Sequence, residues 1–244
     1  MLSKKINFSF LLLTFIWFGV FAQTNSQNNI YETYDKIVGL DNTDLYNGTE
    51  FTDPFLNTDG SFRYFNGFDY TKGSVEYAGQ YYANVSLKYD VFEDNLLVRS
   101  DDNLSIFNVK LIPEFINEFT IYNKHFVRLT ETNLNLSGNG FFEKFYLGND
   151  LSLYIKHTKR KKDRPLKSGI QYRFTDANFY VLESGGTYYL VGSSKHIEKI
   201  LPEKEEQIRN FHKSYKTLYK SNPDVYMEKL VKYLDGSSEP IKQQ

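Results

Sequence analysis

GSVEYAGQYYANVSLKYDVFEDNLLV, residues 73–98, decides the fold. Val75 and Tyr77 point one way, a turn at Ala78–Gln80 reverses the chain, and Val85, Leu87, Tyr89 and Val91 then recur with a period of two. Glu93–Asp94–Asn95 reads as a second turn, after which Leu96 and Val98 resume the pattern. Alternation of this kind is what a strand with one buried face requires, because successive side chains point to opposite faces of a sheet. Short reversals without an intervening helix exclude parallel crossovers and point to antiparallel pairing.

Downstream the same grammar continues. Leu104–Val109, Phe115–Tyr122, Phe126–Thr130, Phe141–Leu147 and Leu151–Ile155 read as strands, with Tyr122–Asn123–Lys124–His125 as a tight hairpin connection and Gly138–Asn139–Gly140 and Gly148–Asn149–Asp150 as turns. The last of these strands runs into KHTKRKKDRPLK, residues 156–167, read as a solvated loop between strands. Gln171–Phe174 and Asn178–Leu182 read as extended, and Ser184–Gly185–Gly186 as a hairpin turn into Thr187–Val191. Beyond Gly192 the period changes. A short helix capped at Ser193 or Ser194 reaches Leu201; Ile208, Phe211, Tyr215 and Leu218 form one stripe on a helix from Glu203 to Lys220. Asn222 before Pro223 starts a last helix that Gly236 stops.

Upstream, residues 41–72 are rich in Asn, Asp and Gly with isolated aromatics, and read as irregular chain with at most one short strand at 61–65; residues 30–40 fit a short helix. At the amino end, Lys4 and Lys5 precede an apolar run from Phe8 to Ala22 with small residues at Val20 and Ala22. That order is the grammar of a cleavable signal peptide. The run is shorter than the ~20 residues a spanning helix needs.

The expected organisation is therefore a signal peptide at 1–22, a disordered leader at 23–29, an antiparallel β-rich domain at 30–192, a helical tail packed on it at 193–236 and a disordered end at 237–244. The fold class is mainly β or α+β: an antiparallel strand-rich body with a small C-terminal helical segment. No transmembrane helix is expected in the mature chain.

Composition narrows the function classes. There is no Cys, so disulfides, thiol nucleophiles, thiolate metal sites and a lipid-modified cysteine are all excluded. Without Lys4 and Lys5, 27 of the 29 basic residues remain against 30 acidic ones. That balance is too close to neutral for a general nucleic-acid binder. No glycine-rich phosphate loop, nucleophile elbow or paired-histidine metal motif occurs, and no catalytic, cofactor-binding or metal-ligating residue is assigned. Asp90, Glu93 and Asp94 share one turn, but sequence supplies no cleft that would make a catalytic carboxyl pair of them.

Two surfaces stand out. Lys156, Lys159, Arg160, Lys161, Lys162, Arg164 and Lys167, opposed by Asp163 alone, form a candidate patch for an anionic partner. Tyr64, Phe68, Tyr70, Tyr81 and Tyr82 form a candidate aromatic binding surface.

KIVGLDNTDLYNGTEF (36–51), residues 73–98 and FFEKFYLGNDLSLYIKHTKRK (141–161) resemble a loose group of exported proteins of unknown function from Bacteroidetes bacteria. The resemblance implies a bacterial source and a shared exported fold, and carries no chemistry. The expected role is an exported, non-catalytic envelope or secreted protein, periplasmic, outer-membrane-associated or extracellular. It would act as a binding or accessory module on another envelope protein or an anionic cell-surface polymer. A secreted or periplasmic hydrolase with an unrecognised site and an outer-membrane β-barrel are the alternatives.

Overall fold

The computed structural model describes residues 44–100, 107–130 and 140–236. The signal segment, the leader, the helix at 30–40, the first part of the strand at 104–109, the first two residues of the turn expected at 138–140 and the 237–244 end lie outside the described residues, and Gly140 itself begins a strand. Within them the chain is strand-rich, with an antiparallel sheet of eleven strands and a small C-terminal helical segment.

The deciding stretch folds as its alternation dictates. β2 (Thr71–Tyr77) and β3 (Gln80–Asp90) form a hairpin, β4 (Asn95–Arg99) returns along β3, and β5 (Asn108–Lys110) pairs with β4. The edge strand β1 (Thr49–Glu50) lies on β5. On the other side of β2 follow β6 (Ile116–Ile121), β7 (Lys124–Leu129), β8 (Gly140–Leu147) and β9 (Leu151–Lys156). The loops Ala78–Gly79 and Tyr122–Asn123 have positive φ at both central residues, the backbone that matches the twist of a two-residue hairpin. One irregularity changes the side-chain parity. Gly73 pairs with Val85 but Val75 pairs with Tyr82, so β3 carries a bulge at Ala83–Asn84, with Asn84 at φ 55°. Val85, Leu87 and Tyr89 face the main core, and so does Tyr82, three residues before Val85 instead of two.

The sheet curls. Tyr89 on β3 packs edge-on against Phe119 and Phe126 and reaches Phe141 on β8, with ring centroids 5.2, 5.2 and 6.2 Å away. The curl is fastened by a polar clasp. Asp94, in the β3–β4 turn, accepts the Tyr89 hydroxyl at 2.5 Å, Lys156 Nζ at 2.5 Å and the Phe141 N–H at 3.3 Å. Lys156 donates in addition to the Phe141 carbonyl at 3.1 Å. Gly140 makes room for this clasp: a Cβ there would lie 2.1 Å from Asp94 Oδ2 and 2.4 Å from Lys156 Nζ.

Beyond β9 the basic run is a strand, not a loop. β10 (Lys159–Leu166) and β11 (Gly169–Asp176) form a separate two-stranded hairpin. The main sheet continues with β12 (Phe179–Ser184), which pairs directly with β9, and ends at β13 (Thr187–Val191). The hairpin is therefore an excursion between two adjacent strands of the sheet. It rests on the 57–61 segment. Tyr172 exchanges backbone hydrogen bonds with Asn57 and Asp59, and the Phe174 N–H donates to Ser61 Oγ at 2.8 Å.

The helical segment comprises α1 (Ser194–Ile200), α2 (Glu205–Ser214), α3 (Lys216–Ser221) and α4 (Pro223–Leu234). The helix expected from Glu203 to Lys220 is broken: a 3-10 turn, Pro202–Lys204, precedes α2, and Tyr215 separates α2 from α3 with its ring stacked on Phe211. Asn222 caps α4 as its sequence suggested, accepting the Val225 N–H at 3.2 Å. Ile197, Ile208, Phe211, Tyr226, Leu230 and Leu234 form one core with Leu151, Leu153 and Ile155 of β9, Leu182 of β12 and Val191 of β13.

Asp235, just past α4, ties the helices to the β8–β9 turn. Its carboxylate accepts the N–H groups of Asn149, Asp150 and Leu151 at 3.1, 2.9 and 2.8 Å and the Tyr146 hydroxyl at 2.7 Å. Burial opposes its ionisation, but these four donors win and lower its pKa from 3.8 to about 2. A carboxylate depressed in the folded state stabilises above its unfolded pKa and loses that contribution as pH falls through the folded value. The Asp235 contribution is thus present in full above about pH 4 and fades between about pH 4 and 2. Asp235→Asn should cost about 1–3 kcal/mol at neutral pH and flatten that acid limb. Urea unfolding measured from pH 7 down to 2 checks both.

Candidate functional site

Residues 51–70, which sequence reading leaves irregular, are held by one buried guanidinium. Arg63 is 1% exposed and Asp90, at the end of β3, is 0% exposed. Arg63 Nη2 is paired with Asp90 and lies 3.1 Å from Glu93; Nη1 lies 3.5 Å from Asp53. The rings of Phe51, Phe55, Tyr64 and Phe92 surround the guanidinium at 5.9, 4.9, 6.0 and 5.5 Å. Asp90 also accepts the N–H groups of Phe92 and Glu93, at 3.1 and 3.3 Å, so it shapes the β3–β4 turn while it neutralises Arg63. The short strand considered at 61–65 amounts to a single bridge between Tyr64 and Asp90.

The cage shapes a cleft of about 420 Å³ beside it, lined by Glu50, Asp53, Tyr64, Phe68, Tyr70 and Lys88 among others. Tyr64 donates its hydroxyl to Asp53 at 2.5 Å. Burial and that carboxylate push the phenol far up, so it stays a donor. Lys88 Nζ lies 4.5 Å from the centroid of the Tyr64 ring and 4.3 Å from that of Tyr70, and the Arg99 guanidinium lies 4.7 Å from the Tyr70 ring. Of the five expected aromatics, Tyr64, Phe68 and Tyr70 line this cleft. Tyr82 is 1% exposed in the main core, where the β3 bulge sends it, and Tyr81 faces the opposite way beside the Ala78–Gly79 turn.

The basic residues divide three ways. Lys156 is in the clasp with Asp94 and is largely buried. Lys159 and Lys161 lie on the packed face of the hairpin: Lys159 pairs with Asp176 at 3.3 Å over the Phe62 ring, and Lys161 pairs with Asp163 at 2.9 Å over Phe55 and Tyr172. Arg160, Lys162 and Arg164 alternate onto the other face, are exposed, and make no ion pair among the described residues. Arg173 stands opposite Lys162 on the same face and reaches Asp59. The Ser61 hydroxyl and Arg173 together hold the Asp59 pKa down at about 2. Lys167 is exposed at the hairpin tip between Leu166 and Ile170, two of the large apolar residues left open to solvent.

At the root of the hairpin, His157 Nε2 lies 2.6 Å from Glu143 Oε2, and Asn178 Nδ2 lies 3.3 Å from His157 Nδ1. Lys124 Nζ adds a second contact to Glu143 at 2.8 Å. Burial resists ionisation of Glu143, but His157 and Lys124 outweigh it and lower the carboxyl pKa. The Asn178 Oδ1 accepts the Thr158 N–H, leaving its amide nitrogen to face the ring, so the imidazole accepts at Nδ1 and donates at Nε2. This fastens the point where the chain leaves and rejoins the sheet. His125, His196 and His212 are hydrogen-bonded to Glu118, the Gly192 N–H and Tyr226. Asp90, Glu93 and Asp94 are engaged by Arg63, Lys156 and Tyr89. No group of three His, Asp or Glu residues suited to a metal occurs among the described residues.

Sequence reading missed Arg63 and Lys88. Two signals were available: a lone arginine amid closely spaced Phe and Tyr, and a lysine at an outward position between Leu87 and Tyr89 of the strand. Compared with known protein families, curated proteins and solved structures, the chain matches none.

Replacing Arg63 with Met should destabilise the protein by about 3–5 kcal/mol, because Asp90 would be left charged and unpaired in the interior. The double variant Arg63→Met with Asp90→Leu should recover much of that loss. Denaturant unfolding of the two variants beside the parent measures it.

Proposed function

We propose that this is an exported, non-catalytic binding module of the cell envelope or the extracellular space, and that it engages an anionic surface polymer through the outer face of the β10–β11 hairpin. The observation that carries the reading is the alternation of Arg160, Lys162 and Arg164 on one exposed face, where none of the three makes an ion pair among the described residues and the acid that reaches that face, Asp59, is taken by Arg173. Alternate residues of a strand are about 7 Å apart. A rigid row of cations at that spacing suits a chain with regularly repeated negative groups, and holding them on a paired strand removes much of the ordering cost of binding. A second support is the excursion itself, which sets the row apart from the sheet. Export rests on the amino-terminal charge, apolar run and small residues. Among the described residues no helix is long and apolar enough to cross a membrane.

Immobilised dextran sulfate and a polyuronate should retain the purified chain at about 50 mM salt and release it by about 500 mM, as screening shortens the reach of exposed charges; neutral dextran should not retain it. Replacing Arg160, Lys162 and Arg164 together with Gln should weaken retention about tenfold or more, at roughly 0.5–1 kcal/mol per exposed ion contact. Equal retention of the triple variant would remove the hairpin from the reading. For export, mass spectrometry of the amino terminus in the native cells should find Gln23 first; an intact Met1 in the cytoplasmic fraction would overturn it.

A further inference from the structure

The cleft beside the Arg63 cage has its own chemistry, independent of the hairpin. Lys88 is half-buried on the outward side of β3, opposite Leu97 of β4. Its ammonium contacts only the faces of Tyr64 and Tyr70 and has no hydrogen-bond or ion-pair partner among the described residues. Asp53, the nearest acid lining the cleft, is occupied by Arg63 and the Tyr64 hydroxyl. Partial burial lowers the lysine pKa by more than the charges of Asp53, Asp69 and Asp90 raise it, so this cation is held away from water with its hydration only partly replaced. Three N–H donors therefore stand in a cavity of about 420 Å³ with no acceptor in place for them among the described residues.

The rest of the lining says what would receive them. Phe68 is 47% exposed, a flat apolar ring at the mouth. Glu50 is exposed, without an ion-pair partner among the described residues, and is an acceptor for hydroxyl groups. Two acids in the lining disfavour a dianion such as phosphate, whereas a monoanion carrying hydroxyl donors would satisfy Lys88 and Glu50 together. A cavity of this size accommodates one or two pyranose rings.

We infer that this cleft binds a sugar ring bearing a single carboxylate, a hexuronate unit, with the carboxylate on Lys88, the ring on Phe68 and its hydroxyls on Glu50.

Calorimetric titration of the purified chain with a galacturonate trisaccharide tests this, with the neutral galactose trisaccharide and inorganic phosphate as the comparison probes. The uronate should bind at least tenfold more tightly than either. Lys88→Met should remove that preference, Lys88→Arg should restore part of it, and Phe68→Ala should weaken the uronate severalfold. The Arg160, Lys162 and Arg164 triple Gln variant should bind the trisaccharide as the parent does, which separates failure of this site from failure of the hairpin. Should Lys88→Met not fold, the half-exposed Phe68→Ala variant and the uronate-to-galactose ratio of the parent decide. Equal binding of the charged and neutral sugars, tighter binding of phosphate, or an undiminished Lys88→Met variant would overturn the inference.

Discussion

The ion cage of Arg63 is the constraint on which both candidate surfaces depend. A guanidinium closed off from water is costly unless carboxylates and aromatic faces replace its hydration. Asp90, Glu93 and Asp53 supply the first, and Phe51, Phe55, Tyr64 and Phe92 the second. Because Asp90 and Glu93 belong to the end of β3 and its turn, while Asp53 and Phe55 belong to the incoming segment, the charge pins an otherwise irregular stretch to the sheet. From that anchorage Tyr64 is aimed at Asp53 and forms a wall of the cleft. Phe55 reaches from the same cage to Tyr172 and Phe174, with ring centroids at 4.9 and 5.8 Å, and so gives the hairpin its seat.

Much of the architecture was legible in the residues because apolar alternation and turn chemistry are local. Residues 73–98 declared β2, β3 and β4, and Ser184–Gly185–Gly186 declared its hairpin, since each signal is contained in a few neighbours. The basic run was not legible as a strand because its alternation is between two kinds of exposure, with no apolar period to reveal it. Only its pairing with β11 and the aromatic floor beneath Lys159 and Lys161 distinguish the two faces. The stripe from Ile208 to Leu218 concealed the break at Tyr215 for a related reason. Its ring keeps its place against Phe211 whether or not the backbone continues as one helix.

The candidate sites were half visible. Composition marked the cations of the hairpin and the aromatics of residues 64–70, but not which of them are committed elsewhere. Lys156 looked like part of the patch and is spent in fastening the curl; Tyr82 looked like part of the aromatic surface and is turned inward by a bulge one residue long. Such assignments depend on partners distant in sequence, as when Asp94 meets Phe141, or Asp235 meets Asn149. The ammonium of Lys88 belongs to the same class: among the described residues it meets only the Tyr64 and Tyr70 rings, and its significance lies in that.

The direct pairing of β9 with β12 has a consequence for how this chain can diversify. Lys156 and Phe179 are partners across the ladder, so the main sheet is continuous whether the chain between them is short or long. His157, Glu143 and Asn178 fasten that junction from the sheet side. The eighteen-residue arm from Lys159 to Asp176 is thus a graft on a finished scaffold: its inner face is bound to its seat at Phe55 and residues 57–61, while its outer face and tip can change in charge and reach with the register of the host preserved. Variation in what the protein recognises can accumulate there without reopening the problem of how the protein folds.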